Sequence, residues 1–94
     1  MHPLIERHRD SLLAVAHRRG AMDVRVFGSM ARGDARDDSD VDLLVRLKPG
    51  ISGLALGGLL LDAQELLGRR VDVLTEDALH PALRERVLAE AVAL

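Results

Sequence analysis

Residues 27–45 read "FGSMARGDARDDSDVDLLV", the most informative stretch of this 94-residue chain. Asp40 and Asp42 alternate with Val41 and Leu43 and stand directly before an apolar pair, in a segment that otherwise predicts a buried strand. Aspartate is depleted in strands, and burying an unpaired carboxylate is costly. Some other group must therefore compensate these charges.

The composition is typical of a small folded domain. Hydrophobic residues make up 48% of the chain and charged residues 30%, which suits a globular protein rather than a disordered one. We expect one domain spanning residues 1–94, because this length is near the lower end for a domain with its own core. The longest nearly apolar run, residues 51–61, is too short to cross a bilayer, and the N-terminal ten residues lack a signal-peptide core. The chain has no cysteine, which excludes disulfides and thiolate metal sites, so we expect a cytoplasmic protein.

Charge and aromatic content argue against a tightly bound nucleic acid. The net charge is −2, so no broad basic surface is expected. Phe27 is the only aromatic residue, which leaves no platform for stacking bases. A nucleotide is a smaller ligand and stays possible.

The hydrophobic periodicity predicts an α/β layer of three strands with helices. The expected elements, in chain order, are an amphipathic helix from about Leu4 to near Gly20, a strand over 23–27, a turn with one short helix over 28–38, a strand over 40–47, a helix from Ser52 to about Leu67 that stops at Gly68, a strand over 70–75, and a helix from Pro81 to the C-terminus.

Two predicted helices carry more apolar surface than a surface helix needs. The helix over 52–67 is apolar nearly all round, and either it packs tightly on the sheet through its glycines or a partner covers its outer side. In the last helix we expect a core stripe and a second apolar line that could contact a partner. The core stripe comprises Leu83, Val87, Ala91 and Leu94, and the second line comprises Leu88 and Val92.

Three carboxylates are expected on one face of the sheet. Asp40 and Asp42 are two residues apart in one strand and therefore project together, and Asp72 lies between two valines in the next strand. The helix between these strands suits a parallel crossover, which would make them neighbours. Three close carboxylates repel one another, and Mg²⁺ is the cation that oxygen ligands and substrate phosphates bind together.

Ordinary structural roles explain some of these residues taken singly. Asp37, Asp38 and Ser39 are common turn residues, and Asp34 could cap a short helix. Asp72 alone could pair with Arg69 or Arg70. The combination in two strands after a glycine-serine turn is what favours a metal site.

The turn after the first strand is a candidate phosphate site. Gly28 allows a close approach of the backbone to a ligand, and Ser29 adds a hydroxyl donor near the start of a helix. Arg32 and Arg36 lie in the same loop and could bind phosphate oxygens, although Arg32 could equally be a solvated loop residue and that role suits Arg36 better.

The composite pattern resembles a known family. Gly28-Ser29, ten intervening residues and Asp40-Val41-Asp42 match the G-S-x10-D-x-D signature of nucleotidyltransferases similar to the DNA polymerase beta catalytic domain. The whole 27–45 stretch resembles the minimal nucleotidyltransferases of prokaryotes, and Asp72 falls where that family has its third carboxylate. The resemblance implies a nucleotidyltransferase fold over residues 1–94, with a small three-stranded mixed sheet and about four helices.

The resemblance also implies roles for these residues. Asp40 and Asp42 would hold two Mg²⁺ ions, and Asp72 would bind the second ion and help to deprotonate the attacking hydroxyl. Gly28 and Ser29 would bind the terminal phosphates, with Arg32 beside them. The substrate would be ATP, and AMP would be transferred while pyrophosphate leaves.

Minimal members of this family often act as antitoxins beside a HEPN ribonuclease toxin, and some adenylylate it. This chain is similar in size, so a HEPN toxin is the expected partner and acceptor. Two alternatives stay open at this point: an antitoxin that acts by contact with an idle metal site, and a catalytic subunit that modifies a small molecule together with a second chain. The oligomeric state is also open, and a homo-oligomer is compatible with the sequence.

Overall fold

The computed structural model describes residues 1–94 and contains five α-helices and one four-stranded mixed sheet. The elements are Pro3–Arg7 (α1), Arg9–Arg18 (α2), Ala21–Phe27 (β1), Ser29–Arg32 (α3), Val41–Leu47 (β2), Leu54–Leu67 (α4), Val71–Leu74 (β3), Pro81–Glu90 (α5) and Val92–Ala93 (β4), with a 3-10 turn at Glu76–Ala78. The predicted fold class is confirmed. The predicted strand count of three is wrong, because the chain adds β4.

The sheet has the strand order β3-β2-β1-β4. β2 and β3 are parallel and α4 connects them, as predicted, whereas β1 is antiparallel to both β2 and β4. The register pairs Asp42 with Asp72 across β2 and β3, and it pairs Phe27 with Asp42 across β1 and β2. Because directly paired residues point to the same side of a sheet, the side chains of Phe27, Asp42 and Asp72 lie on one face.

The two faces of the sheet carry separate cores. The larger core lies under α1, α2 and α4, and its strand residues are Ala21, Val24, Val26, Val41, Leu43, Val45 and Val71. The smaller core lies on the carboxylate face and comprises Phe27, Leu44, Leu79 and Val87. Thus α5 covers part of the face that bears Asp42.

The expectation of one continuous first helix is wrong, because the backbone leaves the helical conformation at His8 (φ −108°, ψ 11°). The His8 ring Nδ1–H donates to the Leu4 carbonyl at 2.8 Å, and the His8 amide donates instead to Ile5 at 3.2 Å. The side chain thus satisfies the carbonyl that a continuous helix would have paired with the amide of residue 8.

The last helix ends at Glu90 rather than at the C-terminus, which also corrects its predicted apolar stripes. Ala91 is extended, and the Leu94 amide donates to the Val24 carbonyl at 3.0 Å, so the chain end pairs with the free edge of β1. Within α5, Val87 is buried but Leu83 is 51% exposed. Leu88 packs against the smaller core, and Val92 belongs to β4, so the two do not form a line on one helix.

Helix α4 packs on the sheet by one face only. Its end follows the prediction, since Gly68 adopts φ +67° after the last turn. Its start does not, because the N-cap residue is Gly53 rather than Ser52, although the Leu54 amide donates to the Ser52 hydroxyl at 3.2 Å. Its buried residues are Leu59, Ala63 and Leu67, whereas Leu54 and Leu61 are 87% and 64% exposed.

Tight packing of α4 on the sheet through its glycines is therefore wrong. A Cβ at Gly53 or Gly57 would face open space, and the nearest atoms to one at Gly58 would be those of the Arg19 guanidinium. The outer face stays apolar and open. No helix in the structure has the length and apolar character needed to cross a bilayer.

Leu43→Ala is expected to reduce the free energy of unfolding by about 2–5 kcal/mol, because the fully buried side chain leaves a cavity between the sheet and its helices. Leu61→Ala removes the same atoms from the exposed face of α4 and should cost less than about 0.5 kcal/mol. Chemical denaturation measures both values. Equal losses in the two variants would contradict this assignment of core and surface.

Candidate functional site

The turn that follows β1 is shaped by Gly28 and by Asp42 on the neighbouring strand. Gly28 has φ +72° and ψ −154°, a conformation that other residues rarely adopt. A Cβ built on Gly28 would overlap with Oδ2 of Asp42. Both the backbone angle and the adjacent carboxylate therefore demand glycine here, and the Asp42 side chain lies directly against the turn.

The structure brings the predicted carboxylates together at one end of β2 and β3. Asp42 and Asp72 are direct register partners, and Asp40 lies one residue before β2, two residues from Asp42. Asp40 and Asp42 are half-buried, whereas Asp72 is exposed. Neither Arg69 nor Arg70 forms an ion pair with Asp72, and Arg69 donates instead to the carbonyls of Arg36 and Ser39. The alternative structural role for Asp72 is therefore not realised.

The electrostatics of Asp42 reflect this crowding. The pKa of its carboxyl is raised to about 6, first by burial, then by the negative charges of Asp72 and Asp40, with a smaller contribution from Glu90. The positive charge of Arg32 opposes the shift. A nearby cation would therefore favour the charged form of Asp42. No three acidic or histidine side chains in the structure, however, are gathered tightly enough to form a complete metal-binding group.

Ser29 and Arg32 lie in the turn after β1, whereas Arg36 lies in the loop that follows it. Ser29 begins α3, a single turn of four residues, and is half-buried. Arg32 ends that turn and points toward acidic partners, Glu90 at 3.1 Å and Asp34 at 3.2 Å, which raise the pKa of its guanidinium. The backbone of Arg36 joins the following loop, where its amide donates to the Ser39 hydroxyl, and Arg36 forms no ion pair.

The sequence did not identify Glu90 as a candidate, although it contacts the turn directly. The Gly28 amide donates to its Oε1 at 3.0 Å, and Arg32 donates to its Oε2 at 3.1 Å. Sixty-two residues separate Glu90 from Gly28, so no local pattern predicts the contact. The only signal is that an acidic residue is unfavourable in the last turn of a helix, where Glu90 lies.

The largest groove of the molecule is elsewhere on the same face. It has a volume of about 550 Å³, lies toward the other end of β2, and is lined by residues that include Arg25, Arg46 and Glu76. None of the three aspartates lines it. Four of its five charged residues pair with one another, Arg46 with Asp23 at 2.6 Å and Arg25 with Glu76 at 3.6 Å, so its size alone does not indicate chemistry.

Comparisons with known proteins agree with this geometry. Residues 9–94 match the model of the family described as "Nucleotidyltransferase domain". Protein adenylyltransferase MntA of Thermococcus cleftensis is 40% identical over 73 residues, which cover 78% of this chain and 74% of that protein.

Two solved structures have a fold similar to that of this chain. One described as a candidate minimal nucleotidyltransferase is 48% identical, with a TM-score of 0.85 over 100% of this chain and 97% of that chain. A chain in the complex of tri-AMPylated Shewanella oneidensis HEPN toxin with MNT antitoxin has a TM-score of 0.70 at 14% identity, over 94% of this chain and 69% of that chain, which is a similarity of fold alone.

The family match extends over nearly the whole chain and includes the glycine-serine turn and all three aspartates. The resemblance found in the sequence is therefore confirmed. The chain belongs to the nucleotidyltransferase domain family, and it is an enzyme of that class.

Proposed function

We propose that the protein is a Mg²⁺-dependent adenylyltransferase that moves AMP from ATP to a hydroxyl group of a partner protein. The observation that carries the proposal is the register pair of Asp42 and Asp72 beside the Gly28-Ser29 turn, in a chain of the nucleotidyltransferase family. On this proposal, residues 1–94 act as one domain in the cytoplasm, where ATP is available.

The donor set at this end of the sheet fits Mg²⁺. Asp40, Asp42 and Asp72 supply only hard oxygen ligands, and a divalent cation would relieve the repulsion that raises the pKa of Asp42. A complete cage of protein ligands is not needed, because Mg²⁺ commonly binds one or two carboxylates together with substrate phosphates and water. We propose that Asp40 and Asp42 hold two Mg²⁺ ions and that Asp72 contributes to the second.

Bound Mg²⁺ would neutralise the triphosphate and stabilise the entering and leaving oxygens of an in-line displacement. The acceptor oxygen forms a bond to the α-phosphorus, and the bond from that phosphorus to pyrophosphate breaks. Asp72 is the exposed member of the trio and can take the hydroxyl proton. On this proposal, the Gly28 amide, the Ser29 hydroxyl and the Arg32 guanidinium donate to phosphate oxygens, since all three belong to the turn that begins α3.

We propose a HEPN-type toxin as the partner, and modification of its hydroxyl group as the means of neutralising it. The solved toxin–antitoxin complex with the same fold supports this choice. So does the exposure of Asp72, since a carboxylate at the surface can meet a hydroxyl that a second protein presents.

Intact-mass analysis of a HEPN toxin encoded beside this chain tests the activity. After incubation with the protein, ATP and Mg²⁺, the toxin mass should increase by one or more AMP units. The Asp40→Asn/Asp42→Asn variant should lose this increase, because it removes the proposed metal ligands. The Asp37→Asn/Asp38→Asn variant has the same charge change in the adjacent exposed turn and should keep it.

The same experiment separates the alternatives. Toxin that is neutralised without any mass increase, by wild type and by the Asp40→Asn/Asp42→Asn variant alike, would replace the enzymatic proposal with inhibition by contact. AMP found on a small molecule and never on protein would favour the two-chain alternative.

The stability of the metal-free protein should depend on the charge of Asp42. Its pKa is about 6 in the folded chain and 3.8 as the ordinary value, so the folded state holds this proton more tightly than the unfolded state. The stabilisation from protonated Asp42 is complete below pH 3.8 and is lost as the pH rises through about 6.

Asp42→Asn should therefore unfold at a higher temperature than wild type at pH 7–8 in EDTA, and the difference should shrink toward pH 4. Asp38→Asn is the matched control at an exposed position and should show no such trend. Thermal unfolding from pH 4 to 8 measures both variants. A wild-type chain that is more stable than Asp42→Asn at pH 8 without metal would contradict the claim that the charged Asp42 side chain destabilises the folded state.

A further inference from the structure

We propose that Glu90 is an internal competitor of the nucleotide: its carboxylate closes the phosphate site of the nucleotide-free enzyme and must withdraw before ATP binds. The inference rests on the proposed function, since it takes Gly28 and Arg32 as the donors that bind phosphate. It assigns to α5 a regulatory role that the G-S-x10-D-x-D signature does not contain.

The contacts of Glu90 are those expected of a bound phosphate oxyanion. Its Oε1 accepts from the Gly28 amide at 3.0 Å and from Arg32 Nη1 at 3.4 Å, and its Oε2 accepts from the same Nη1 at 3.1 Å. One carboxylate therefore uses both a backbone donor and a guanidinium donor of the turn. Its side chain is only 18% exposed, so it lies within the site rather than at its rim.

A phosphate group and this carboxylate cannot share the site. The Gly28 amide has one hydrogen to donate, and that hydrogen is already directed at Glu90. Asp42 lies against the same glycine, so a phosphate would add its charge beside two carboxylates. Mutual repulsion and the shared donor both require Glu90 to leave when a phosphate arrives.

The position of Glu90 makes such a withdrawal feasible. It is the last residue of α5, and the extended Ala91 separates it from the two-residue strand β4. The end of a helix is one of the least stable parts of a fold, because its last carbonyl groups lack helical partners. Glu90 can therefore move without disturbing Val87, which anchors α5 in the smaller core.

Isothermal titration of ATP in the presence of Mg²⁺ tests the proposal on four full-length proteins: wild type, Glu90→Gln, Glu90→Asp and Glu85→Gln. Glu90→Gln keeps the size and removes the charge that pairs with Arg32. Glu90→Asp keeps the charge but shortens the side chain by one methylene, so it no longer reaches Gly28. Glu85 is an exposed residue of α5 without an ion pair, and Glu85→Gln has the same charge change as Glu90→Gln.

We expect both Glu90 variants to bind ATP about tenfold more tightly than wild type, which is the scale of one charge-assisted hydrogen bond. Glu85→Gln should bind as wild type does, and thermal unfolding checks that all four proteins are folded. Tighter binding by Glu90→Gln together with wild-type binding by Glu90→Asp would overturn the proposal, because it would reflect net charge rather than the contact.

Weaker binding by either Glu90 variant would also overturn it, since Glu90 would then assist the nucleotide. Wild-type ATP binding that neither variant changes would refute competition while leaving the adenylyltransferase proposal standing. Absence of ATP binding in all four proteins would instead refute the adenylyltransferase proposal, and this inference with it.

Discussion

The parallel register that sets Asp42 opposite Asp72 is the constraint on which the site is built. Parallel neighbours need a crossover, and α4 supplies it, so the helix exists in part to bring two acidic strand ends together. The same register directs Val41, Leu43 and Val71 to the opposite face, where they form the larger core. Packing on one face thus holds mutually repelling groups in place on the other.

The turn after β1 is matched to this arrangement. Asp42 has no space beside it for any side chain at residue 28, and Phe27, its register partner on β1, contributes to the smaller core. The position of the carboxylate is therefore fixed from three sides: by β3, by the glycine turn and by the apolar residues beneath. In the free energy of folding this crowding is a cost, visible in the raised pKa of Asp42, and the larger core offsets it.

Much of this could be predicted from local patterns. The alternation around Asp40 and Asp42 indicated which face they share, and the helical segment before Asp72 indicated a parallel neighbour. The stop of α4 at Gly68 followed from residue chemistry alone.

The features that the sequence did not predict have a common physical cause. In each of them a residue bonds to a partner that is distant in the chain or of an unusual kind. The break at His8 depends on a ring nitrogen that satisfies a backbone carbonyl, a bond that periodicity does not register. Two residues, Val92 and Ala93, are too few for a strand pattern, and they extend only because β1 offers an unpaired edge. The contact of Glu90 with Gly28 crosses most of the chain and has no local signature.

Both edge strands of the sheet are short: β3 has four residues and β4 has two. Short edge strands offer few unpaired backbone N–H and C=O groups, so they are poor templates for a strand contributed by another polypeptide. Recognition through strand addition at β3 or β4 is thereby disfavoured. The exposed leucine side chains on the outer face of α4, by contrast, leave an apolar surface in contact with water.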